Sequence, residues 1–203
     1  MGTRRIAAIA ALVGWAGLAL QLALIVGSLG PPLGMWRFVG YFTILANIGA
    51  ALVATAIALG SGRRLASARA RLIAATSIAL VGIVYSVSLR ALWHPTGLQK
   101  VADVALHDAS PLLFLAVWAL SPHPRLRWRE IGWAVLPAAV YLAYALARGL
   151  ADGWYAYWFL NPADQSAGEL AASAGVVLCG FALVATVLVA LDQWLGRTAE
   201  SAG

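Results

Sequence analysis

The run IAAIAALVGWAGLALQLALIVGSL, residues 6–29, holds no ionisable side chain. At about 1.5 Å per residue, a helix of this length crosses a hydrocarbon layer of about 30 Å. Lipid offers no water to satisfy peptide N–H and C=O groups, so such a run is expected to be a membrane-spanning helix. A cleaved signal peptide is the competing reading for a stretch preceded by Arg4 and Arg5. Its apolar region would usually be about 7–15 residues, and no small-x-small site precedes Gly30-Pro31-Pro32. Five further apolar runs follow, at 37–59, 70–92, 101–120, 131–150 and 168–191. Turn-forming dividers separate them: Gly60-Ser61-Gly62, His94-Pro95-Thr96-Gly97, Ser121-Pro122-His123-Pro124 and Asn161-Pro162. The expected fold is therefore all-α, a polytopic bundle of six transmembrane helices in one domain over residues 1–203. A flexible tail is expected at 196–203.

Composition agrees with that class. The chain is 62% hydrophobic and 11% charged, with a mean hydropathy of +0.83, far from a soluble domain. The net charge of +6 does not point to nucleic acid, because the basic residues gather in the short connections between apolar runs. Ten of the 14 Lys and Arg residues fall on the side that carries both termini, and Arg37, Arg90, Lys100 and Arg148 fall on the other. The positive-inside rule then predicts both termini in the cytoplasm of a cell (plasma or inner) membrane. Trp36, Trp93, Trp154 and Trp158 mark the expected outer interface; Trp128, Trp133 and Trp194 mark the inner one. The single cysteine, Cys179, permits no intrachain disulfide.

Within this apolar frame the polar residues stand out. Thr43 and Asn47 lie in the second run, WRFVGYFTILAN at 36–47, and His107 lies in the fourth, LHDASPLLF at 106–114. Thr43 is six residues past Arg37 and His107 six past Val101, which sets both about 9 Å below the outer interface. A threonine in a membrane helix usually donates to a carbonyl about one turn back, which would make Thr43 structural. An imidazole inside a span is a candidate functional group by default. Asp103, four residues before His107, shares its helical face and either orients the imidazole or sits in water at the interface. Asp108 points about 100° away and needs another partner, for which Arg90 is placed. Asn47 either donates to a substrate carbonyl or bonds a neighbouring helix.

These features resemble the FAR/AIG-like family of six-helix membrane proteins, which includes the androgen-induced and androgen-dependent TFPI-regulating proteins. The resemblance rests on Trp36-Arg37-Phe38 followed by Tyr41-Phe42-Thr43, on His107 followed by Pro111-Leu112-Leu113-Phe114, and on the aromatic stretch at 154–160. Tryptophan at 158 replaces an expected proline. The resemblance implies a hydrolase of fatty-acid esters of hydroxy fatty acids, with Thr43 as nucleophile and His107 as its partner. A threonine hydroxyl needs a base within hydrogen-bond reach, which a neutral imidazole supplies. Candidate oxyanion donors are Asn47, Tyr85, Ser86 and Arg90.

Two other classes remain open at this level. A proton-coupled transporter would use His107, Asp103 and Asp108 as a relay, and a scaffold would use none of them. No haem is expected, since Pro95 and Gly97 break any helix joining His94 to His107. The sequence calls for no metal or other cofactor.

Overall fold

A computed structural model describes residues 2–62 and 64–201; Arg63, counted above among the basic residues, lies outside them. It is all-helical among these residues, with six helices long and apolar enough to cross a membrane. The protein is thus an integral membrane protein by fold. The helices are α1 (Gly2–Leu29), α2 (Pro31–Phe38), α3 (Phe42–Leu59), α4 (Ala68–Leu89), α5 (Gly97–Ala119), α6 (Glu130–Asp152) and α7 (Ala167–Ser201). All but the eight-residue α2 are the spans.

Small residues set the packing. Ala7, Ala10, Ala11 and Gly14 of α1 are buried against α3, where Ala46, Ala50 and Ala54 answer them. A Cβ on Gly14 would lie 3.3 Å from the Cβ of Ala51, so the two backbones run as close as helices allow. Helix α4 is the most buried span and packs on α3, α5, α6 and α7. The exposed tryptophans Trp93 and Trp158 at one end, and Trp128, Trp133 and Trp194 at the other, face outward as interfacial belts require.

The second apolar run departs from expectation. It is not one helix: α2 ends at Phe38, the chain turns through Val39-Gly40-Tyr41, and α3 restarts at Phe42 with Tyr41 in extended conformation (φ −91°, ψ 131°). The break leaves carbonyls without helical partners, and α6 satisfies them from one face. Arg148 donates to Trp36 O (2.6 Å), Tyr144 to Val39 O (3.1 Å) and Tyr141 to Gly40 O (2.8 Å). Gly40 is required there, since a Cβ would sit 2.6 Å from both the Arg148 guanidinium and the Trp154 ring. Gly40→Ala is accordingly expected to displace Arg148 and destabilise the fold by about 1–3 kcal/mol, the range for overpacking. Thermal unfolding in detergent would measure it, and an unchanged midpoint would refute the staple.

At the opposite end Arg69 holds Glu130 through two bonds of 2.5 and 3.0 Å, and His123 meets Asp192 at 2.8 Å. Helix α7 continues past Gly196, against the expectation of a flexible tail from that residue. Gly196 packs so closely on the α5–α6 connection that a Cβ would lie 2.7 Å from His123 O. Residues 202–203 of that tail lie outside the described part.

Candidate functional site

Thr43 occupies the second position of α3, at the Trp36 end of the bundle, and the restart of the helix changes what its hydroxyl can do. The carbonyls one turn back belong to Val39 and Gly40, which accept from Tyr144 and Tyr141 of α6, and the Thr43 hydroxyl bonds neither. Other hydroxyls in the spans behave in the ordinary way: Thr55 donates to Ala51 O and Thr186 to Ala182 O, each at 2.7 Å. Thr43 instead faces a cavity of about 490 Å³ shared with His107, Tyr85, Tyr141 and Tyr157. The remaining lining is almost wholly apolar, from α4, α6, α7 and the connection between the last two.

His107 reaches this cavity from a wide turn in α5. Over Ala105–Ala109 the helix opens to i→i+5 hydrogen bonding, with Ser110 N donating to Ala105 O. Helix α4 opens in the same way over Tyr85–Leu89, with Arg90 N donating to Tyr85 O at 2.8 Å. Such single wide turns recur at functional sites because they re-aim a side chain without ending the helix. Here they bring two rings face to face: Tyr85 stacks on His107 with centroids 4.0 Å apart and planes 15° from parallel.

Asp103 is not the water-exposed interface carboxylate that one reading allowed. It is 6% exposed, accepts the Tyr85 O–H, and lies 3.1 Å through Oδ1 from His107 Nδ1. The Asp103 carbonyl lies at the same 3.1 Å from Nδ1. Two oxygens therefore converge on Nδ1, which fixes it as the protonated nitrogen and leaves Nε2 as the lone-pair acceptor. A buried carboxylate backing one imidazole nitrogen while the other is free is the arrangement of a general base.

Asn47 lies directly beneath. It is 1% exposed and donates to Thr43 O at 2.9 Å and to Leu106 O at 3.1 Å, so one amide ties the α3 and α5 turns that carry Thr43 and His107. Both its hydrogens are committed to those carbonyls, which removes it from the oxyanion candidates. Tyr85 is committed to Asp103. Arg90 is exposed, paired with Asp108 as the sequence suggested, and bonded to Ser86 at 3.4 Å; neither Arg90 nor Ser86 lines the cavity. The structure thus brings together Thr43, His107, Asp103, Tyr85 and Asn47 and leaves Arg90 and Ser86 outside the cavity lining.

Sequence reasoning did not single out Tyr141, Tyr144 and Tyr157. The first two sit with Arg148 at i, i+3 and i+7 on α6, a polar stripe in an otherwise apolar span that would have been the available signal. Among the described residues no cluster of three or more His, Cys, Asp or Glu side chains could hold a metal. No family model matches the chain, and comparison with curated proteins and with solved structures found no significant match.

Proposed function

We propose that this protein is an intramembrane hydrolase of lipid esters that works through an acyl-threonine intermediate on Thr43. Membership of the FAR/AIG-like family, and with it a preference for fatty-acid esters of hydroxy fatty acids, is part of the same reading. The observation that carries it is a threonine hydroxyl that shares an apolar cavity with a histidine held by a buried aspartate. Thr43 Oγ1 attacks the ester carbonyl carbon while its proton passes to His107 Nε2. The tetrahedral intermediate collapses, the alkoxide leaves with the proton from His107, and the acyl group stays on Thr43. Water, deprotonated by the same imidazole, then releases the acid. Asp103 keeps the imidazole in the correct tautomer and stabilises the imidazolium that forms.

Cavity chemistry favours a lipid substrate. Thr43 and His107 are among few polar groups in an apolar chamber inside the membrane region, and a second apolar cavity of about 620 Å³ between α3, α4 and α6 shares Phe42 and Tyr141 as its wall. The transport alternative draws less support, since Asp108 is paired with Arg90 and Asp103 is held by two side chains. In this reading both termini are cytoplasmic and the site opens towards the outer leaflet, on the side with four of the 14 basic residues. A reporter inserted near Thr96 should be accessible from outside and one after Arg127 only from the cytoplasm; the reverse pattern would overturn the orientation. Purified protein in detergent should release fatty acid from a hydroxy-fatty-acid ester and carry a fluorophosphonate adduct on Thr43. An adduct located by mass spectrometry on another residue would sink the nucleophile assignment.

A further inference from the structure

A residue that lines the cavity and is also exposed on the outside of the bundle stands at the cavity's mouth. Among the described residues four do both: Val84 and Ser88 of α4, and Ala172 and Val176 of α7. Val84 is 40% exposed and Val176 72%. Every other lining residue is buried or half-buried, including all those from α3, α5, α6 and the α6–α7 connection. The mouth therefore lies between α4 and α7.

These two helices meet and then part. Ile78 of α4 and Ala185 and Val189 of α7 are fully buried in one cluster. At the next level they still touch, since a Cβ on Gly180 would meet Leu80 Cδ2 at 3.8 Å, ordinary van der Waals contact. Leu80, Val84 and Ser88 then follow at every fourth residue, as do Gly180, Val176 and Ala172, so each series keeps to one helical face. The faces that touch at Leu80 and Gly180 are thus the ones left open further along. The wide turn of α4 begins within the parted stretch, at Tyr85.

The cavity is closed at both ends. Leu80, Ala138 and Phe181 bury its inner end in one cluster. At the other end the α6–α7 connection covers it, with Tyr157 stacked on Phe159 at 5.4 Å and Leu160 2% exposed. The open side faces laterally, at membrane depth. Val84 lies five residues, about 8 Å, inside the end of α4 at Leu89, and Val176 lies seven residues, about 10 Å, past Glu169, after which α7 is free of charge until Asp192.

We infer that α4 and α7 frame a lateral portal through which an acyl chain enters from the bilayer, so that the substrate is an ester dissolved in the membrane; the ester assignment rests on the hydrolase reading. Bringing a charged group between Val84 and Val176 would be costly, so the part of the substrate that enters is uncharged. The chain slides between apolar side chains into an apolar chamber and meets Thr43 and His107 there.

The test shuts the portal and reopens it. Val84→Cys and Val176→Cys are combined in a Cys179→Ala background, which leaves no other thiol, and bridged in vesicles with bismaleimides of graded length that contain a cleavable disulfide. Entry without chemistry is read by photolabelling with a diazirine-bearing fatty acid in the same vesicles, and turnover by release of acid from a hydroxy-fatty-acid ester. The bridge should lower both cavity labelling and kcat/KM at least about tenfold, and reduction should restore both. Full turnover in a protein shown by mass spectrometry to be bridged, or no cavity labelling in the unbridged protein, overturns the portal and leaves the hydrolase intact. Cavity labelling that the bridge blocks, in a wild type that releases no acid, keeps the portal and removes the hydrolase. Should no bridge form, Val176→Trp narrows the mouth and should lower kcat/KM about tenfold, while Leu183→Trp, on the exposed side of α7 away from the cavity, should not. A wild-type rate in Val176→Trp overturns the portal.

Discussion

A Thr43→Ala protein should insert, fold and release no fatty acid. The substitution removes one methyl and one hydroxyl from a site facing a cavity rather than a packed core. No bond from the lost hydroxyl holds α3, whose opening carbonyls are secured by α6. Stability should therefore stay within about 1 kcal/mol of wild type. In the proposed mechanism catalysis has no such reserve: without the hydroxyl no acyl-enzyme can form, and turnover should drop at least about 1,000-fold together with complete loss of fluorophosphonate labelling. Size exclusion, thermal unfolding and fatty-acid release on the same preparation decide the matter. Full activity in a well-folded Thr43→Ala protein would eliminate the covalent mechanism and make transport or scaffolding the better reading.

The second large effect is expected at the imidazole. His107→Ala should approach the loss seen for Thr43→Ala, because the hydroxyl then has no proton acceptor; general-base contributions run about 100- to 10,000-fold. In the proposed mechanism the two groups act as a unit, so the double variant should be scarcely slower than either single one. Asp103→Asn separates orientation from charge. The asparagine oxygen can still accept from Tyr85, which turns its amide hydrogens towards His107 Nδ1 and favours the tautomer with Nε2 protonated. The Asp103 carbonyl, 3.1 Å from Nδ1, opposes that change. The expected loss is thus smaller than for His107→Ala, about tenfold to 100-fold. A double variant that multiplies the two single losses would show that Thr43 and His107 belong to separate processes.

The sequence made the six spans legible because they depend on local composition. The depth counted from Arg37 to Thr43 assumed an unbroken helix and does not survive the break, but α3 and α5 do adjoin, joined by Asn47. The break at Gly40-Tyr41 was not readable. Nothing between Arg37 and Leu45 is incompatible with a helix, and the groups that stabilise the break lie 101 to 112 residues away on α6. The wide turns at Tyr85 and Ala105 were hidden for a similar reason, since each adds one residue to a helix without a glycine or proline inside the turn to announce it. Tyr157 sits in an aromatic stretch that composition assigns to an interfacial belt. Only the fold turns that ring inward.

Because the break that starts α3 just before Thr43 is secured from another helix, Gly40, Tyr141, Tyr144 and Arg148 form one heritable unit. A descendant that places any side chain at position 40 has to make room at Arg148 and Trp154 in the same step, and one that loses either tyrosine leaves a carbonyl of the break without its bond from α6. Drift at these four positions is therefore expected to be joint or absent. A library randomised at all four together, selected only for folded protein and then assayed, should yield many stable bundles and few active ones.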